Sequence, residues 1–140
     1  MILHWISIGV HLLSVLFLTN NPSSLGLAKW ISARDPVTVL EGPVRAEHVL
    51  APGVDLVVSY NYRHMIRSDV LDALPGRVIN LHVSLLPFNR GSDPNIWSFL
   101  GDTRKGVTIH LVDTGLDTGP ILCRKPAPAP PTANAISPPF

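Results

Sequence analysis

Cysteine is nearly absent from this chain of 140 residues, which has only Cys123. A single cysteine cannot form an internal disulfide and has no second thiol at metal-ligand spacing. The sequence therefore predicts a reducing, cytoplasmic setting and no metal site. We interpret Cys123 as a half-buried strand residue, with a reactive thiol as the alternative.

The chain also lacks an excess of charge of either sign. Its 11 Lys and Arg residues stand against 10 Asp and Glu residues, which gives a formal net charge of +1, and no basic run is present. Because a phosphate backbone is held by clustered Lys and Arg, nucleic acid is not favoured as a partner. A glycine-rich phosphate loop is missing too: TNNPSSLG follows the first predicted strand where a dinucleotide-binding fold has GxGxxG.

Six short apolar runs rich in β-branched residues predict strands: SVLFLT, PVTVL, DLVVSY, RVINLHV, GVTIHLV and PILCR. Helix-length segments lie between them, at residues 25–31, 44–50, 68–74 and 94–100. We expect Ser68 to cap the third helix and Pro94 to lie in the first turn of the fourth. This alternation predicts a single α/β domain with a mostly parallel sheet flanked by helices.

The two ends of the chain differ from its middle. The first 19 residues carry no charged side chain, which leaves two alternatives: an apolar extension over residues 1–13, or a membrane anchor. We favour the extension, and no membrane partner, because a basic flank and a cleavage site are both missing. Residues 126–140 include six prolines and predict a disordered tail. Residues 14–125 are then the domain.

Two polar residues lie near the end of the fourth predicted strand. Alternation along RVINLHV places Asn80 and His82 on one face, at the carboxyl end where ligands bind in open α/β sheets. Burying such a pair without partners is costly, so the pattern favours a site. The alternative is structural, with Asn80 capping a turn and His82 as a hydrogen-bonded core histidine.

An ordered set of motifs surrounds this pair, in INLHVSLLPFNRGSDPNIWSFL and GVTIHLVDTGLDTGPIL. An Asn-x-His pair, a Ser-Leu-Leu-Pro turn and a Gly-x-Asp-x-Gly loop occur there in order. Over about residues 15–124 the chain thus resembles the folate-dependent formyltransferases, which include methionyl-tRNA, glycinamide-ribonucleotide and nucleotide-sugar formyltransferases. The resemblance implies a Rossmann-like sheet, in agreement with the strands and helices predicted above.

The resemblance also implies a catalytic set: Asn80, His82 and Asp117. Attack of an amine on a formyl carbon places negative charge on oxygen, which the amide of Asn80 can stabilise. His82 can donate to the same oxygen or assist proton transfer, and Asp117 can orient the imidazole and help to remove the amine proton. Without the resemblance, a turn aspartate that caps a glycine-rich loop is the favoured interpretation of Asp117.

Two loops are implied as the pocket of 10-formyltetrahydrofolate, the expected co-substrate. One contains His64, Met65 and Ile66, and the other includes Asp113 and Gly115. This pocket is built largely from backbone groups, so the individual side chains are weakly constrained. Met65 and Ile66 are equally compatible with plain core positions.

Arg90 and Trp97 are expected to contact the amine acceptor, Arg90 through a phosphate and Trp97 through a ring. The alternative is a solvated loop and a helix-packing tryptophan. The segment NRGSDPNIWSF resembles the subgroup that formylates amino sugars on nucleotide carriers, so we expect a small-molecule acceptor of that class. Methionyl-tRNA and glycinamide ribonucleotide are alternative acceptors, and a homodimer is left open.

Complete members of the family continue well beyond the position of Arg124, where this chain has its proline-rich segment. The sequence therefore leaves a further alternative open: a truncated, inactive relative that binds folate without turnover.

Overall fold

A computed structural model describes residues 12–101 and 103–128. Its six strands are β1 Val15–Leu18, β2 Val37–Leu40, β3 Leu56–Tyr60, β4 Val78–His82, β5 Gly106–Leu111 and β6 Ile121–Pro126. Its α-helices are α1 Leu25–Ser32, α2 Glu47–Leu50, α3 Ser68–Ala73 and α4 Pro94–Leu100, and a 3-10 turn, Pro22–Ser24, leads into α1. All six predicted strands and all four predicted helices are present.

The strands form one sheet in the order β2-β1-β3-β4-β5-β6. The first four pair in parallel, whereas β5 is antiparallel to β4 and β6 is antiparallel to β5. The predicted α/β domain with a mostly parallel, Rossmann-like sheet is therefore confirmed. The antiparallel pair lies at one edge and was not specified by the apolar runs. Cys123 lies on β6 and is exposed, so the half-buried position expected for it is wrong.

The core lies on both faces of β1, whose four residues are all buried. Successive strand residues point to opposite faces. Leu16 and Leu18 accordingly join a cluster with Val49 of α2 and Val70 of α3. Phe17 joins a second cluster that contains Ala28 of α1. Helices therefore cover both faces of the sheet at β1, which explains why β1 is apolar throughout.

The start of α3 differs from the expectation. Arg67, in extended conformation, occupies the cap position and makes no side-chain capping hydrogen bond, and Ser68 is the first helical residue. The expected cap at Ser68 is therefore wrong by one position, because the chain turns into the helix after Arg67. The fourth helix begins at Pro94 as predicted.

The last strand extends one residue past the expected domain boundary at residue 125. Pro126 is the last residue of β6 and pairs with Gly106, and the Ala127 N–H donates to the Lys105 carbonyl at 2.9 Å. An edge strand tolerates proline, since one side of it needs no ladder donor. Residues 129–140 and 1–11, on which the tail and extension predictions rest, lie outside the described residues. None of the helices in the described ranges is long and apolar enough to cross a membrane.

Candidate active site

A cavity of about 550 Å³ opens at the carboxyl ends of the parallel strands. Asn20 follows β1, Asn61 follows β3 and His82 ends β4, and all three line it. The loop between β5 and β6 closes another side, with Asp113 and Asp117 on the wall. This is the position at which open α/β sheets bind ligands.

Asp117 is the centre of a polar cluster in this cavity. The Asn80 amide donates to its Oδ1 at 3.2 Å, and the Gly91 N–H donates to its Oδ2 at 2.8 Å. His110 Nε2 lies 3.3 Å from Oδ1, and His82 Nδ1 lies 3.5 Å from Oδ2. The structure thus brings the three predicted catalytic residues together, around one carboxylate.

Strand pairing explains why the cluster forms. In the antiparallel register of β4 and β5, Asn80 lies directly opposite His110, and opposed side chains are neighbours on one face. The Asn80 amide nitrogen and His110 Nε2 are consequently 3.2 Å apart. His82 lies opposite the fully buried Thr108.

The loop that carries Asp117 is held by its own contacts. Asp113 Oδ1 accepts hydrogen bonds from the Gly115 N–H at 3.0 Å and the Thr118 hydroxyl at 2.7 Å. Asp117 itself has φ of 51°, in the left-handed region. A Cβ at Gly119 would clash with the Leu111 carbonyl. The glycine and aspartate pattern of this loop therefore fixes the carboxylate in place.

His110 completes the cluster, although the sequence analysis did not single it out. Its side chain is buried, and its Nδ1 lies 2.8 Å from the Leu111 carbonyl, so Nδ1 must donate. Nε2 then accepts from Asn80 when the ring is neutral and donates to Asp117 when it is protonated. Alternation along GVTIHLV places His110 on the same face as Thr108, but the run does not indicate that this face meets Asn80.

The pKa values of Asp117 and His110 are shifted in opposite directions from their ordinary values. Burial raises the pKa of Asp117, but the hydrogen bonds from His110 and Gly91 and the charges of His82 and His110 outweigh it, so the pKa lies below the usual range. Burial lowers the pKa of His110, but its bonds to Asp117 and to the Leu111 carbonyl outweigh it, so the pKa lies above the usual range. Asp117 is therefore ionised at neutral pH.

His82 is oriented from its other side. Its Nε2 lies 2.7 Å from the Asn89 carbonyl, so this nitrogen donates. Asn89 has φ of 55°, and its side-chain amide donates to the Thr103 hydroxyl at 2.7 Å. The turn after the Leu-Leu-Pro segment therefore fixes the imidazole with Nδ1 towards Asp117.

The two predicted cofactor loops both reach the cavity. Its wall includes His64, Met65, Ile66, Asp113 and Gly115. Met65 is 74% exposed, so a plain core position is excluded for it. Ile66 lines the cavity and also packs against the larger core cluster.

The predicted acceptor residues lie elsewhere. Arg90 is exposed, and Trp97 is 55% exposed on α4. Neither lines the cavity, whereas Gly91, Asp93 and Pro94 do. No cluster of three or more His, Cys, Asp or Glu side chains within residues 12–101 and 103–128 is arranged to hold a metal.

Comparison with known proteins shows which protein family has this sequence and fold. The sequence profile described as formyl transferase matches residues 9–136. A methionyl-tRNA formyltransferase from Roseiflexus sp. (strain RS-1) is 42% identical over 102 residues, which are 72% of this chain and 29% of that protein. The chain therefore spans less than a third of this relative's length.

Solved structures give the same picture for the fold. The formyltransferase PseJ from Anoxybacillus kamchatkensis was solved with a UDP-linked formamido sugar and tetrahydrofolate. It is 40% identical to this chain, with a TM-score of 0.70, and the match covers 81% of this chain and 60% of the PseJ chain. The Mycobacterium tuberculosis protein Rv3404c is 27% identical to this chain, with a TM-score of 0.73. The match covers 85% of this chain and 56% of the Rv3404c chain.

Proposed function

This chain belongs to the formyl transferase family, and we propose that it transfers the formyl group of 10-formyltetrahydrofolate to a primary amine. The observation that carries the proposal is the carboxylate of Asp117 in contact with Asn80, His82 and His110. A carboxylate base, an amide donor and an imidazole at the wall of one cavity can together serve acyl transfer to an amine.

The amine nitrogen attacks the formyl carbon, and the formyl oxygen gains negative charge. The amide N–H of Asn80 stabilises that charge. Its N–H groups face Asp117 and His110 in this structure, so one of them must turn to the formyl oxygen as the substrates bind. Asp117 is within reach to accept the proton that the amine loses.

Release of the formyl group leaves N10 of tetrahydrofolate to be protonated. His82 Nδ1 lies 3.5 Å from Asp117 Oδ2, so a proton that Asp117 takes from the amine can pass to the imidazole. To deliver a proton to N10, Nε2 must leave the Asn89 carbonyl as the substrates bind. His110 lies behind Asn80 and Asp117, and we assign it a positioning role. Its raised pKa favours the imidazolium, which pairs with the ionised carboxylate.

We place tetrahydrofolate between the loop of His64, Met65 and Ile66 and the loop of Asp113 and Gly115. The support is that both loops line the cavity next to the polar cluster. A relative solved with tetrahydrofolate is 40% identical to this chain.

For the acceptor we propose an amino sugar on a nucleotide carrier. PseJ, solved with such a formylated sugar, is 40% identical and covers 81% of this chain. Methionyl-tRNA is the second candidate, because the Roseiflexus relative is 42% identical over 72% of the chain. Because Arg90 and Trp97 do not line the cavity, the acceptor assignment rests on these relatives.

The test is a substrate panel. Purified protein receives 10-formyltetrahydrofolate with amino sugar nucleotides, glycinamide ribonucleotide or charged initiator tRNA, and the release of tetrahydrofolate is followed. Turnover with an amino sugar nucleotide is expected. Turnover with tRNA alone would overturn the acceptor but keep the reaction, whereas folate binding without any turnover would favour a folate-binding relative that is inactive.

A further inference from the structure

Two acceptors compete for the single N–H of a neutral His82 ring. The Asn89 carbonyl lies 2.7 Å from Nε2, whereas Asp117 Oδ2 lies 3.5 Å from Nδ1. A neutral imidazole can donate to only one of them, because it has one N–H. The shorter contact favours the proton on Nε2 and leaves Nδ1 unprotonated, facing the carboxylate. The Asn89 carbonyl therefore opposes the pull of Asp117 on the same proton.

The Asn89 carbonyl is held in place by a contact with the segment between α4 and β5. The Asn89 side-chain amide donates to the Thr103 hydroxyl at 2.7 Å, across 14 positions of sequence. The Thr103 N–H donates in turn to the Ser98 carbonyl of α4 at 3.2 Å. Asn89 has φ of 55°, a conformation that few residues other than Gly, Asn and Asp adopt. The side-chain bond to Thr103 therefore supports a turn that the backbone alone disfavours.

The preceding part of this turn is fixed by buried hydroxyls. The Ser84 hydroxyl donates to the Phe88 carbonyl at 2.7 Å, and the Thr108 hydroxyl of β5 donates to the Ser84 carbonyl at 2.7 Å. Ser84 and Thr108 are both almost fully buried. These bonds hold the turn up to Phe88 against β5, and the half-buried Thr103 supplies the contact with Asn89 itself.

We propose that Thr103 is a positioning residue, which acts through the Asn89 carbonyl to keep the proton of a neutral His82 on Nε2. This inference rests on the proposed function, since it concerns the route of the proton that the amine loses. Asp117 passes that proton to Nδ1, and Nε2 gives its own proton to N10 of tetrahydrofolate. The ring is then left with its proton on Nδ1, and exchange with water restores the starting form. A ring that began with its proton on Nδ1 could not accept from Asp117.

The proposal predicts a loss of kcat without a loss of affinity. Thr103→Val keeps the shape of the side chain but removes the accepting hydroxyl, so kcat should fall by about 3- to 10-fold, as loss of one hydrogen bond gives. KM for both substrates should change by less than about 2-fold, because neither Thr103 nor Asn89 lines the cavity. Thr103→Ser keeps the hydroxyl and should recover most of kcat. The matched control is Thr38→Val, an exposed change on the edge strand β2, which should keep the parental kcat.

A measurement on the free protein tests the ring directly. NMR of the isotope-labelled ring nitrogens of His82 distinguishes the two neutral forms, because the protonated and unprotonated nitrogens are distinct. At alkaline pH the parent should show the proton on Nε2, and Thr103→Val should show a larger share on Nδ1. A merely structural role for Thr103 would lower turnover without moving these signals.

A second variant breaks the same contact from its other side. Asn89→Gly removes the side-chain amide, and glycine tolerates the left-handed backbone. Combined with Thr103→Val, it should slow turnover no further than the slower single change, because both changes break one contact.

Three outcomes would overturn the inference: additive losses in the double variant, a parental kcat in Thr103→Val, or a lowered kcat with unmoved ring signals. Failure of the proposed function has a different signature, since the parent would then turn over no acceptor. In that case the NMR comparison still decides whether Thr103 holds the ring proton on Nε2, and identical spectra of the parent and Thr103→Val would reject that role.

Discussion

The parallel and antiparallel parts of the sheet are built from different residues. Both apolar clusters take their buried members from the parallel strands, from helices α1 to α3 and from adjoining loops. In β5 the buried residues are Gly106, Thr108 and His110, and every residue of β6 is exposed. The parallel part therefore supplies the core, whereas the antiparallel part supplies little apolar burial and one side of the polar cluster.

The strand β4 joins the two parts. It begins with the buried Val78, which belongs to the larger core cluster, and it carries Asn80 and His82 towards its end. A buried polar group is stable only when its hydrogen bonds are satisfied. Within the described residues no buried side-chain nitrogen or oxygen lacks a partner. The antiparallel strand thus gives β4 polar neighbours that a further apolar parallel strand would not provide.

Among the variants that test the difference between the two parts, Asp117→Asn is expected to have the largest effect, on the rate of formyl transfer. The amide cannot accept the amine proton, and the pairing with His110 loses its charge, so formyl transfer should fall by about 10²–10⁴ while the fold persists. The measurement is tetrahydrofolate release, with circular dichroism as the check on folding. Asp72→Asn, an exposed change on α3, is the control and should keep parental turnover. An active Asp117→Asn protein would contradict the assigned role.

The parallel part is tested by Phe17→Ala. Phe17 is fully buried in β1, so its truncation should lower the free energy of unfolding by about 3–5 kcal/mol. Phe17→Leu, which keeps more of the volume, should cost about 1 kcal/mol and keep the protein folded for comparison. Urea denaturation measures both.

Leu122→Ala on β6 is the matched control for the antiparallel part. Leu122 is 55% exposed, so the change should cost no more than about 0.5 kcal/mol. Equal losses of stability in the Phe17 and Leu122 alanine variants would remove the distinction between the two parts.

The strand β4, which joins the parallel and antiparallel parts, is tested by Asn80→Ala. If its amide stabilises the formyl oxygen only as charge develops, kcat should fall by about 10²–10³ with little change in KM. Steady-state kinetics at saturating amine separate the two constants. A rise in KM at unchanged kcat would instead indicate that Asn80 binds a substrate in its ground state.

The sequence predicted most of the parallel part, because its strands are continuous apolar runs between helices. It could not predict that β5 and β6 run antiparallel, since an apolar run does not encode the direction of its neighbour. His110 was missed for the same reason. It meets Asn80 through a register between β4 and β5, and that contact joins residues 30 positions apart.

Other site residues depended on the family resemblance or on local backbone geometry. Asp117 was predicted only from the resemblance, and its contact with the Gly91 N–H has no periodic signal in the sequence. Arg90 was expected in the site because it follows the Leu-Leu-Pro turn. Its two neighbours, Asn89 and Gly91, have φ of 55° and 90°, in the left-handed region. In this turn Gly91 lines the cavity and Arg90 does not.

The smallest predicted effect concerns the pH dependence of stability at His110. Its pKa is raised in the folded protein, so its protonation stabilises the fold below the unfolded value of about 6.5. That contribution is lost as pH rises through the folded pKa. His110→Gln should therefore destabilise the protein more at pH 5.5 than at pH 9, as measured by urea midpoints. In the Asp117→Asn background the carboxylate that raises the pKa is missing, so the pH dependence of the His110→Gln effect should largely disappear. If that pH dependence persists there, a group other than Asp117 holds the imidazolium in place.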